Sequence, residues 1–171
     1  MALQDRLEEV YQEHAPALFR FLIRLTGNES ETKDALQEIF LRLAKSPLLL
    51  HGVASPRAYL FRLGHHLVID RHRREQTRHR YEDMAHQQRE LSVPPESNTG
   101  DAAWLQRTLA SSLDALPSDQ KAVVLLKIWE EMTFAEIADV LEIPVNTAAS
   151  RYRYALDKLH DALRPLHRDL P

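Results

Sequence analysis

Along nearly the whole chain, apolar residues recur three and four positions apart, and this spacing constrains the fold more than any other feature. It buries one side of an α-helix, whereas a half-buried strand needs strict alternation. Few stretches alternate, and only 4 glycines interrupt the 171 residues. The pattern therefore predicts an all-α protein. The 44% hydrophobic and 27% charged residues are ordinary values for a soluble globular chain.

The first helix is expected over about residues 3–26, with Leu3, Leu7, Val10, Tyr11, Leu18, Leu22 and Leu25 near one stripe. Pro16 should kink or split it, because proline has no N–H for the helix ladder. Gly27 suits the left-handed position that ends a helix. Asn28 and Glu31 then read as a capping box opening a second helix to about Lys45. That helix would bury Ala35, Leu36, Ile39, Phe40 and Leu43 and show Asp34, Gln37, Glu38 and Arg42 to solvent. After a loop, Ser55-Pro56 reads as an N-cap with proline at the first helical position. The third helix should run to about Arg80 with Tyr59, Leu60, Leu63, Leu67 and Ile69 inward.

Between about Glu82 and Asp101 the periodicity dissolves into VPPESNTGD, which reads as a flexible linker. Periodicity resumes at Ala102 with Trp104, Leu105, Leu109, Leu113 and Leu116. Pro117-Ser118 restarts the chain into a helix carrying Val123, Val124, Leu126, Ile128 and Trp129. Two small helical domains are expected, 1–81 and 102–171, joined by the linker 82–101. A unit of 70–80 residues can fold alone with modest stability.

The stretch FAEIADVLEIPVNTAASRYRYAL, Phe134 to Leu156, carries the strongest signal. Thr133 and Glu136 form a second capping box, with Ile137, Ala138 and Leu141 on the inner face behind it. Glu142-Ile143-Pro144 breaks that helix. In the next one Ala148, Tyr152, Ala155, Leu159 and Ala162 form a core stripe. Thr147, Ser150, Arg151, Tyr154 and Lys158 form the opposite stripe. A short helix, a tight turn and a second helix with donors on its outer face is the helix-turn-helix layout. Its second helix can enter a major groove, where Arg pairs with guanine and Ser or Thr meets bases or phosphates. A bundle face would tolerate the cations but has less use for an exposed Tyr154.

Net charge is −3, which looks wrong for a nucleic-acid binder, but the charge lies in blocks. From Arg57 to Arg80 there are seven arginines against Asp70 and Glu75. From Asn146 to Arg168 there are five basic residues against Asp157 and Asp161. Two basic blocks in an acidic chain point to two separate anionic contacts, against the plainer reading of two solvated helix faces.

With these residues in view, the chain resembles the extracytoplasmic-function (ECF) group of bacterial RNA polymerase sigma factors, in the sigma-70 superfamily. The C-terminal pattern is carried by Leu116-Pro117, Glu136-Ile137-Ala138, Leu141, Ile143-Pro144, Thr147, Ser150-Arg151, Ala155 and Leu159. The N-terminal one is carried by Asp34, Gln37 and Phe40, then by Tyr59-Leu60, His66, Asp70, Arg73 and Arg74. The resemblance implies that the N-terminal unit binds the clamp helices of the polymerase β′ subunit through Asp34, Gln37 and Leu41. It implies that the loop Lys45–Ala54 and the helix after it open and read the −10 element, with His66, Asp70, Arg71, Arg73, Arg74 and Arg78 on that helix. It implies that Asn146, Thr147, Ser150, Arg151, Tyr154 and Lys158 read the −35 element, that the C-terminal unit touches the β flap, and that the linker threads toward the polymerase active-site channel. The partners implied are core RNA polymerase and promoter DNA. Sigma factors of this group are often held by an anti-sigma factor, and no residue pattern here identifies one. Four residues depart from the family pattern: Glu131 and Glu142 stand where glycine is usual, His66 replaces Asn, and Tyr154 sits where Arg is common.

Other readings find less support. His65, His72 and His79 are seven apart, ~10.5 Å per step on a helix, too far for one metal ion. No cofactor or metal is expected. The chain has no Gly-rich phosphate loop and no nucleophile motif, so an enzyme is not expected. The absence of cysteine excludes disulfides, thiolate zinc sites and a cysteine nucleophile, and fits a reducing compartment. MALQDRLEEVYQEH is charged throughout, unlike a signal peptide, and no apolar run approaches the roughly 18 residues that span a bilayer. A cytoplasmic protein without membrane insertion is the expectation. The alternative function is a stand-alone helix-turn-helix regulator with a sensing or dimerising N-terminal unit. Such a unit has no need of both Asp34-Gln37-Phe40 and an Arg-rich third helix. A pure interaction module would leave the outward Ser150-Arg151-Tyr154 stripe without a purpose.

Overall fold

The computed structural model describes the backbone of residues 3–83 and 101–164, and side chains over 5–78 and 106–164. Every regular element among them is helical. In order these are α1 (Leu3–Thr26), α2 (Glu29–Lys45), a 3-10 turn (Pro47–Leu50), α3 (Pro56–Asp83), α4 (Asp101–Asp114), α5 (Ser118–Ile128), α6 (Phe134–Leu141) and α7 (Val145–Leu163). Most of the expected linker lies outside the described residues.

The helix starts follow local chemistry. The Asn28 side chain accepts from the Glu31 amide at 3.0 Å. The reciprocal half of that capping box is not made: the Asn28 amide donates to Thr26 Oγ1 at 3.1 Å instead. Ser55 Oγ accepts from the Ala58 amide, with Pro56 at the first helical position as expected. At α6 both halves form, Glu136 N to Thr133 Oγ1 at 3.2 Å and Thr133 N to Glu136 Oε2 at 2.7 Å. The Thr133 amide and the Thr133 hydroxyl, the latter at 2.8 Å, both donate to Glu136 Oε2 and hold the carboxyl below its ordinary range. Replacing Thr133 by Ala should cost about 1–2 kcal/mol, read as a lower urea midpoint with unchanged slope.

Pro16 does not split α1, which runs unbroken through it. The lost hydrogen bond is tolerated because Leu18, Phe21 and Leu22 beyond it are fully buried and hold the helix in place. Around them α1, α2 and α3 pack on one another, with Ala35, Ile39, Leu43, Leu60, Phe61 and Val68 in the core. α3 comes close to α1 at Gly64: a Cβ there would lie 3.0 Å from Leu18 Cδ1 and 3.2 Å from a Leu22 methyl. The C-terminal half packs α5, α6 and α7 around Val123, Leu125, Leu126, Ile137, Val140 and Ala148.

Tyr11, expected on the inner stripe of α1, is 44% exposed. Ile128 ends α5 and Trp129 caps it, and they are 46% and 37% exposed. Ala162 is exposed, and Leu163 is half-buried. In α3 the fully buried residues are Leu60 and Phe61, while Tyr59, Leu63, Leu67 and Ile69 are half-buried. The two halves also meet: α3 packs on α6 and α1 on α5, so one apolar cluster runs from Phe61 to Met132 and Ile137.

Candidate nucleic-acid interface

The helix-turn-helix is α6, the turn Glu142–Pro144, and α7. Glu142 caps α6 in the left-handed conformation, φ 54°. Glu131, before α6, has the same φ. Both positions thus adopt the backbone that glycine suits, and the turn closes with a glutamate at the cost a Cβ carries there. Inside, Phe134 and Tyr152 meet edge to face at 5.6 Å and set the angle between the two helices.

On the outer side of α7, Asn146, Tyr154 and Lys158 are exposed, and Thr147, Ser150 and Arg151 are half-buried. The Ser150 hydroxyl donates to the Asn146 carbonyl at 2.9 Å. Arg151 is held by Asp119 of α5, Nε to Oδ2 at 3.2 Å, which leaves the guanidinium's outer edge to other acceptors. The Arg153 guanidinium lies over the Tyr154 ring. Pro144 provides no side-chain cap, so the first amides of α7 have no side-chain acceptor. Uncapped amides at a helix start suit a phosphate oxygen.

On α3, His66 points to Glu142, Nε2 to Oε2 at 3.1 Å. Arg71 is tied to Glu38 of α2 at 2.6 Å. Glu38 also accepts from Arg42 at 3.2 Å. Asp70, Arg73, Arg74 and Arg78 are exposed. The Arg71–Glu38 and Arg151–Asp119 pairs have no local sequence signal, because each joins two different helices.

His65 is the one perturbed histidine among the described residues. Its Nδ1 is buried without a hydrogen-bond partner. Burial first, then the charges of His66, Arg73 and Arg151, pushes it down to about 4 from 6.5. An imidazole with a depressed folded value stays neutral in the fold while the unfolded chain takes up a proton. Stability should therefore fall as pH drops from about 6.5 to 4 and level off below, for this group by at most about 3 kcal/mol. Urea titrations at pH 7 and 5 should show the loss, and His65→Gln should flatten it.

The residues expected to meet the polymerase are brought together. Asp34, Gln37 and Leu41 line a cleft of about 680 Å³ with Arg42, Lys45 and Arg71. Gln37 and Leu41 also border an apolar groove of about 720 Å³ between α1 and α2, floored by Leu7, Leu36 and Phe40. Leu41 itself is 51% exposed, a large apolar side chain set on a polar helix face. Among the described residues no three His, Asp or Glu side chains converge as a metal would require.

These features define a helical protein with a C-terminal helix-turn-helix and a basic N-terminal helix beside it. Sigma-70 region 2 matches residues 10–78 and sigma-70 region 4 matches residues 106–159. The ECF RNA polymerase sigma factor SigL of Mycobacterium tuberculosis is 31% identical over 164 residues, covering 94% of this chain and 90% of SigL. The sigma factor YlaC of Bacillus subtilis is 26% identical, covering 92% and 94%. The sigma factor RpoE of Bartonella quintana, solved with the anti-sigma factor NepR, superposes with a TM-score of 0.71 at 18% identity, covering 94% of this chain and 96% of RpoE. The chain belongs to the ECF group of sigma-70 RNA polymerase sigma factors. It is a transcription initiation factor, which binds core RNA polymerase and promoter DNA.

Proposed function

We propose that the residues divide the work as follows. The unit 1–81 docks on the β′ clamp helices through Asp34, Gln37 and Leu41, and opens the −10 element with His66, Asp70, Arg71, Arg73, Arg74 and Arg78. The unit 102–171 reads the −35 element with Asn146, Thr147, Ser150, Arg151, Tyr154 and Lys158 and touches the β flap. The work is done in the cytoplasm, and the chain itself catalyses no reaction. The complex of the Bartonella relative with NepR supports an anti-sigma factor as a further partner here.

The observation that supports this division best is the N-terminal face of α7. Uncapped amides, an exposed Asn146 and an Arg151 braced by Asp119 lie within its first two turns. That combination suits phosphate anchoring by the backbone and base reading by a positioned guanidinium. A specific Arg–guanine contact carries about 1–3 kcal/mol of discrimination. Arg151→Ala should therefore keep a helical circular-dichroism spectrum while losing about tenfold or more in transcription from its own promoter. The loss should shrink on promoters mutated at the −35 base that Arg151 reads. An unfolded spectrum, or an equal loss at every −35 sequence, would overturn the assignment.

A further inference from the structure

Asp119 lies outside the helix-turn-helix, in the first turn of α5, yet it is paired with Arg151 of α7. Its carboxylate is engaged on both oxygens. Oδ1 accepts from the Gln120 amide at 3.0 Å, and Oδ2 stands 3.2 Å from Arg151 Nε. A helix start favours a carboxylate, so the anchor is stable where it stands. Behind it Lys121 to Leu126 are buried, and Val124 shares a small core with Ala155 and Leu159 of α7. The anchor and the side chain it holds are therefore carried on two helices packed against each other.

The side from which Asp119 approaches decides which donors remain. A guanidinium has two donor forks, one from Nε with one Nη and one from both Nη atoms. The carboxylate sits on the Nε side, so the end-on Nη fork stays open to an outside pair of acceptors. Guanine offers such a pair in the major groove, O6 and N7. Adenine sets a donor beside its N7, so the same fork is only half matched. The Ser150 hydroxyl is turned back to the Asn146 and Thr147 carbonyls at 2.9 and 3.1 Å. Arg151, 30% exposed, is thus a donor on this face whose direction is set from a second helix.

We propose that Asp119 is a positioning residue for promoter selection: it aims the end-on fork of Arg151, and so sets how strictly one −35 base pair must present guanine. An unbraced arginine can swing its fork to a phosphate or another base edge, which keeps affinity and loses selectivity. A braced one has given up that freedom before DNA arrives, so meeting the right base orders it little further. The carboxylate also sets a negative charge beside the DNA, which lowers sequence-independent affinity. Asp119 therefore raises discrimination while it weakens the nonspecific hold. This inference rests on the assignment of Arg151 to the −35 element.

The test is transcription by holoenzyme carrying the wild-type chain, Asp119→Asn, Arg151→Ala or both substitutions, on promoter fragments with each base at each −35 position. Asparagine keeps an oxygen for the Gln120 amide and removes the charge that holds Arg151, so α5 keeps its start. Asp119→Asn should cut the preference for guanine at the Arg151 position about three- to tenfold and leave the other positions alone. Output from promoters with the wrong base there should hold or rise. In the Arg151→Ala background the same substitution should change the preference by less than about twofold. A second reading comes from the free chain: the Arg151 Nε–H resonance, identified by its loss in Arg151→Ala, should move in Asp119→Asn. An unmoved resonance, or an equal loss on every promoter for Asp119→Asn, would overturn the positioning role. So would an unchanged guanine preference beside a base-dependent loss for Arg151→Ala, and the −35 assignment would then stand without it. A base-independent loss for Arg151→Ala would remove that assignment, and the positioning role with it.

Discussion

Phe61→Ala should destabilise the chain by about 3–5 kcal/mol. Phe61 is fully buried in the middle of α3, its ring 5.3 Å from that of Phe21. Truncation removes the transfer free energy of a phenyl ring and leaves a cavity. The cavity cannot collapse readily, because Gly64 already brings α3 against the Leu18 and Leu22 methyls of α1. Small domains hold only 5–15 kcal/mol in total, so the loss takes a large share. The urea midpoint should fall sharply, whereas Phe61→Leu should cost far less because most of the volume stays. A loss of stability under about 1 kcal/mol for the alanine variant would mean that the ring is not packed as described.

The second large effect belongs to DNA. Arg73 and Arg74 are exposed on α3. Replacing both by Ala should leave the fold intact and weaken holoenzyme binding to promoter DNA by about 10- to 100-fold at physiological salt. Each phosphate contact releases about one counterion, so the slope of log affinity against log salt should shrink by about 2. The weakening should be nearly equal across promoter sequences, unlike the base-dependent loss expected for Arg151→Ala. An unchanged salt slope would show that these arginines do not touch phosphate.

The helix ends were the most legible features, because their chemistry is local. Ser55-Pro56 and Thr133 with Glu136 need only neighbours within one turn, and both form as expected. Only half of the Asn28 box forms, because Thr26 competes for the Asn28 amide. The inward face of α3 was not legible. It packs against α1 and α2 on one side and α6 on another, so no single stripe marks its core. Phe61 and Val68, off the expected stripe, are buried, while Ile69, on it, is only half so. Ala162 fell out because the core ends near Leu159, before the helix does.

The outer stripe of α7 was readable from spacing alone. What holds its members was not. Asp119 under Arg151 and Glu38 on Arg71 come from other helices, and Glu142 on His66 comes from the turn after α6. Arg57 and Glu130 are 73 residues apart, and only the packing of the two halves joins them. Expecting two units on a flexible linker gave no reason to look for charge pairs between them.

The central claim is that this chain directs RNA polymerase through two DNA contacts carried on α3 and α7. Runoff transcription with bacterial core polymerase, with and without the chain, on a pool of promoter fragments tests it most directly. The account predicts defined transcripts only when the chain is present, from templates sharing one −35 and one −10 element. No transcripts, together with no association with core polymerase on a sizing column, would contradict it and leave the helix-turn-helix to a free-standing regulator.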